Sequence, residues 1–87
     1  MDREETLKIL KQRLSLAQQR DKEASAHFNE ILREMASIPH PDGMTSFERA
    51  ARGYRKALRE LSAAQDQMAQ FLLHSVVPSD LDRSRLN

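Results

Sequence analysis

Apolar residues in the first half of the chain recur at Leu7, Leu10, Leu14, Ala17, Ala24, Phe28, Ile31, Met35 and Ile38. The steps alternate between three and four residues, with one polar interruption at Asp21. That spacing predicts a heptad seam along a long helix. Asp2 followed by Glu5 forms a capping-box pattern, in which each side chain accepts a hydrogen bond from an otherwise unpaired backbone N–H at the helix start. The helix is therefore expected to begin near residue 3. Proline at position 39 lacks an N–H and clashes with the preceding turn, so the helix should stop by about residue 37, a rod on the order of 50 Å long.

The second half repeats the pattern with Phe47, Ala50, Ala51, Tyr54, Ala57, Leu58, Leu61, Ala64, Met68, Phe71 and Leu72. Thr45 with Glu48 offers another capping box, and Ser46 and Asp42 are alternative N-caps, so a second helix is expected over about 46–75, ended by Pro78. The short Pro- and Gly-bearing segment between the helices favours antiparallel neighbours. The fold class is thus an all-α antiparallel helical hairpin with a short C-terminal tail. With a turn centred near residue 41, Met35 is expected opposite Phe47, Phe28 opposite Tyr54, Ala24 opposite Leu58 and Leu14 opposite Met68.

Two helices shield only one side of each seam, and the apolar surplus is visible. Ala50, Ala57, Ala64 and Phe71 flank one side of the second stripe, Ala51, Leu58 and Leu72 the other, and Ile9, Leu16 and Leu32 lie beside the first seam. The pattern therefore predicts a homodimer that closes a four-helix bundle, with the alanines allowing close approach of the copies. Asp21, inside the seam, needs a partner or water, because an isolated buried charge is costly. A register-setting polar layer shared with Gln18 and Gln65 is the expected arrangement, with a small polar pocket or a metal ligand in a dimer as the alternative.

Composition narrows the rest. Eighty-seven residues without cysteine, 39% hydrophobic and 31% charged, imply one small domain over 1–82, a mobile tail over 83–87, and no disulfide or thiolate metal site. No apolar run reaches the roughly 20 residues that span a bilayer, and a signal-peptide pattern is missing, so no membrane association and a cytoplasmic location are expected. His27, His40 and His74 are scattered and no Glu-x-x-His pair occurs, which leaves no metal site. Without a nucleophile elbow or a glycine-rich phosphate cradle, neither catalytic nor cofactor-binding residues are expected. Met35 and Met68 fall on the seams as core-fillers.

Net charge is only +1, so electrostatic function must be local. Arg49, Arg52, Arg55, Lys56 and Arg59 occupy one arc of the second helix, opposite its apolar stripe. Such an arc suits either a solvated bundle surface or contact with nucleic acid or another polyanion. In the tail, Val76, Val77 and Leu81 are placed to fold back over the open end of the bundle, while Pro78 and the following Ser and Asp residues favour a turn.

The linker reads Ile38-Pro39-His40-Pro41-Asp42-Gly43 and is followed by Phe47-x-x-Ala50-x-x-Gly53-Tyr54-x-x-Ala57. This stretch resembles the J-domain co-chaperones, whose His-Pro-Asp tripeptide sits in the loop between two antiparallel helices. The resemblance implies a co-chaperone role through His40, Pro41 and Asp42, with an Hsp70 chaperone as partner. The chain departs from that family in having one unbroken heptad pattern from about 3 to 37, and in lacking a basic face over Glu30-Ile31-Leu32-Arg33-Glu34-Met35. The tripeptide also has a local account: Pro39 and Pro41 stiffen the reversal, Asp42 caps or forms an Asx-turn, and Gly43 permits positive φ. The leading expectation is a small non-enzymatic protein-interaction or regulatory module (an adaptor, inhibitor or assembly factor) with a protein partner that no motif identifies. Polyanion binding through the arginine arc is the alternative, and the co-chaperone role comes third.

Overall fold

The structure, a computed structural model, describes the backbone of residues 2–37 and 41–82 and the side chains of 2–36 and 45–81. Among the described residues three helices follow in order: α1 (Arg3–Ser37), α2 (Pro41–His74) and the single turn α3 (Ser79–Asp82). The long helices lie antiparallel, as an all-α hairpin. Pro39 and His40, the centre of the expected turn, lie outside the described residues, as does the 83–87 tail.

The start of α1 shows the Asp2 half of the expected capping box. Asp2 Oδ1 accepts the Glu5 N–H at 2.8 Å, and the Asp2 carbonyl accepts both the Thr6 N–H at 3.1 Å and the Thr6 hydroxyl at 3.0 Å. The Asp2 side chain thereby satisfies the Glu5 N–H, a donor that a helix start otherwise leaves open, while the Thr6 N–H makes the first intrahelical bond. α2 corrects the expectation at its own start, because it begins at Pro41 and not near 46. Proline at the first helical position costs nothing, since that N–H has no intrahelical partner and the ring already holds a helical φ. Pro41, Asp42 and Gly43 are therefore first-turn residues of α2, and Gly43 lies on helical backbone. At the other end, Ser75 takes a left-handed φ of 57°. Its N–H reaches the Phe71 carbonyl at 2.9 Å and the Val76 N–H reaches the Gln70 carbonyl at 3.2 Å, a left-handed C-cap.

Earlier initiation of α2 shifts the pairing. The Phe28 ring lies 5.4 Å from the rings of both Phe47 and Tyr54, so it sits between them, level with Ala50. Stepping by heptads, Leu14 is level with Ala64 and Asp21 with Ala57. Phe28 thus meets Tyr54 as expected, and Phe47 as well, while Leu14 falls against alanine and not opposite Met68 as expected with a turn at 41. The buried apolar residues are Leu10, Ala17, Ala50, Ala57, Ala64 and Phe71. The three α2 alanines thus bring the two helices of one hairpin together. Their expected role between copies is corrected, because they are already covered.

The hairpin measures 55 × 20 × 17 Å, with a radius of gyration of 17.8 Å, where a compact domain of this length has about 12 Å. Past Ser75 the chain reverses. The Leu81 N–H donates to the Pro78 carbonyl at 3.0 Å, and the side chains of Val77, Pro78 and Leu81 are half-buried.

Candidate interaction surfaces

Contacts across the hairpin define its two sides. On the first, Arg13 Nη1 donates to Gln67 Oε1 at 3.2 Å and Arg20 Nη1 lies 3.5 Å from Glu60 Oε2. Position by position, this side carries Arg13 and Arg20 of α1 against Glu60 and Gln67 of α2. The tail docks here, as Arg13 also forms an ion pair with Asp80, including a bond from Nη1 to Oδ1 at 3.4 Å. The Arg13 hydrogen bond holds the Asp80 carboxyl below its ordinary range, partial desolvation opposes that shift, and the attraction of the guanidinium adds to it. Near the hairpin's open end, Arg3 stacks over the Phe71 ring at 4.8 Å and donates to the Ser75 hydroxyl at 3.3 Å. This tether joins the first turn of α1 to the cap of α2. Of the tail residues expected to cover the open end, Val76 is exposed while Val77 and Leu81 are half-buried, and sequence reasoning missed Arg13 and Arg3 because neither partner is close in sequence.

The second side is the one marked by Phe28, Phe47 and Tyr54. Heptad spacing places Leu7, Leu14, Asp21 and Met35 in the same row of α1 as Phe28, and Leu61 and Met68 in the same row of α2 as Tyr54. All of them are half-buried. The next rows outward hold Leu32, 42% exposed, on α1, and Leu58 and Leu72, 41% and 53% exposed, on α2. These rows form a largely apolar strip along the hairpin, interrupted at mid-length by Asp21 and edged by Lys11, Gln18, Ser25 and Gln65.

Within that strip Asp21 is exceptional. Its Oδ1 is buried and has no hydrogen-bond partner among the described residues. Gln18 and Gln65, the expected partners, are exposed. The polar layer anticipated inside one hairpin is therefore not closed there, because Gln18 lies one turn outward and Gln65 about two turns along α2.

Arg49, Arg52, Arg55, Lys56 and Arg59 are all exposed on the outer face of α2. None of the five makes an ion pair among the described residues, Glu60 being engaged by Arg20. His27 and His74 are exposed and far apart along the hairpin, and no three acidic, histidine or cysteine groups gather to hold a metal among the described residues. Nor is any described helix long and apolar enough to cross a membrane. No protein-family model, curated protein or solved structure matches this chain.

Proposed function

We propose that this protein is a small non-enzymatic interaction module whose working surface is the apolar strip around Phe28, Leu58 and Leu72. The observation that carries this reading is the row of half-buried apolar residues along that side with the exposed Leu32, Leu58 and Leu72 beside it, on the side away from the Arg13–Asp80 and Arg20–Glu60 ion pairs. Helical surfaces of this kind bind by laying apolar rows into the grooves of another helical pair. An adaptor, inhibitor or assembly factor uses such a surface without chemistry of its own. Oxidative side-chain footprinting in the cells that make the protein tests the reading. Leu58 and Leu72 should be protected relative to the diluted pure protein, whereas Leu73, 74% exposed on the outer face of α2, should label equally in both. Equal labelling of Leu58 and Leu72 in both conditions would refute it.

The arginine arc supports a second reading, binding to nucleic acid or another polyanion, because five exposed cations lie along one helix with no ion-pair partner among the described residues. Contacts of this kind weaken steeply with salt through counterion release. Binding of a duplex or heparin-like probe that falls with salt and is lost in Arg52→Gln with Arg59→Gln would establish it, and no binding at low salt would remove it. The co-chaperone reading has weaker support: Asp42 lies in the first turn of α2, and His40 is outside the described residues.

A further inference from the structure

We infer that a second copy of this chain covers the apolar strip, packed about a two-fold axis at mid-length, and that the Gln18 amide of that copy donates to the unpartnered oxygen of Asp21. The inference rests on the strip being the interaction surface and names its occupant. The area argues for a copy. The chain exposes 6680 Å², whereas a compact monomer of 10.0 kDa exposes about 5,200 Å². The excess, about 1,400 Å² per chain, is above the roughly 800 Å² that each partner of a standard interface buries and fits an obligate pair.

The position of Asp21 argues for the symmetry. It lies one residue from the midpoint of α1 and is level with Ala57, the middle of α2. Two hairpins that meet face to face with flush ends bring this level onto the axis, where each copy presents the same residues to the other. Gln18 is one turn from Asp21 on the strip edge, exposed and with two N–H donors. Crossing the axis, each Gln18 amide meets the carboxylate of the other copy and separates the two acids. The buried oxygen that no described group of its own chain satisfies then gains the partner that burial demands. The layer fixes the register of the copies, as a single polar layer does in coiled coils.

Sedimentation equilibrium of the full chain at about 1–100 μM tests this, with Gln18→Glu, Asp21→Leu and an outer-face control, Gln12→Glu, beside the wild type. A mass twice 10.0 kDa is expected for the wild type. Gln18→Glu, which removes the donor and sets a second acid against Asp21, should weaken association at least about tenfold, while Gln12→Glu stays within about threefold. Asp21→Leu should associate more tightly and yield assemblies larger than the dimer. A dimer in which Gln18→Glu behaves as Gln12→Glu overturns the inference, and so does a folded wild-type monomer. For such a monomer, binding of an environment-sensitive apolar dye, lost in Leu58→Glu with Leu72→Glu, leaves the interaction surface standing and rejects only the second copy. A monomer that binds no dye rejects both.

Discussion

Replacing Phe28 by alanine probes the register on which the fold rests. The ring is half-buried and touches two others, Phe47 and Tyr54, each at 5.4 Å. A fully buried Phe→Ala change costs about 3–5 kcal/mol. Half-burial reduces the loss of apolar contact, and each ring pair adds about 0.5–1.5 kcal/mol beyond area, so the expected loss is about 2–3 kcal/mol. A domain of this length has about 4–13 kcal/mol in total, and each kcal/mol moves Tm by about 4–8 °C, which gives a drop on the order of 10–20 °C. Far-ultraviolet circular dichroism during thermal unfolding reads it, with Leu73→Ala as a control expected to shift stability by less than about 0.5 kcal/mol. Double-mutant cycles make the test sharper, since Phe28 should couple to both Phe47 and Tyr54 by about 0.5–1.5 kcal/mol. Coupling to Tyr54 alone, or a Phe28→Ala loss no larger than that of Leu73→Ala, would refute the placement of Phe28 between the two rings.

Three further outcomes are expected. Asp2→Ala should cost about 1 kcal/mol by removing the side-chain cap on the Glu5 N–H, while the Thr6 bonds to the backbone carbonyl at position 2 remain, measured by chemical denaturation. At the left-handed Ser75, a β-branched residue is strained where glycine is not, so Ser75→Val should lose about 1–2 kcal/mol while Ser75→Gly ranges from neutral to about 1 kcal/mol more stable. Because the folded Asp80 carboxyl is held below its ordinary range by Arg13, the tail contact is complete above that range and is lost as pH falls through the lowered value. Amide exchange over residues 76–81 should therefore accelerate in acid beyond its intrinsic pH dependence, and Asp80→Asn should show the faster exchange already at neutral pH.

Much of this architecture was legible because a heptad pattern is a property of spacing alone. Leu7 to Met35 and Phe47 to Phe71 mark both seams, and the Asp2–Glu5 pair marks the first cap. What escaped were features that depend on rotation or on contacts distant along the chain. Pro41 reads as a breaker in a linker, but at the first position of a helix it is tolerated, and those five extra residues slide α2 enough to place Phe28 against Ala50. Once the rotation is known, the alanines belong inside the hairpin and Leu58 and Leu72 outside. From spacing alone both rows are equivalent. Arg13 with Asp80 and Arg3 with Phe71 and Ser75 carry no sequence signature, since each joins residues brought together only by the reversal. Asp21 was visible as a polar interruption, yet its lack of a partner within the hairpin emerges only when Gln18 and Gln65 are seen to be exposed.

The central claim is that the hairpin is half of a bundle, and the dependence of Tm on protein concentration tests it most directly. If folding and pairing are coupled, dilution favours the unfolded chains. With an unfolding enthalpy of about 0.7 kcal/mol per residue over two copies, each tenfold dilution should lower Tm by about 4 °C. A Tm that stays constant across a hundredfold dilution would contradict the account.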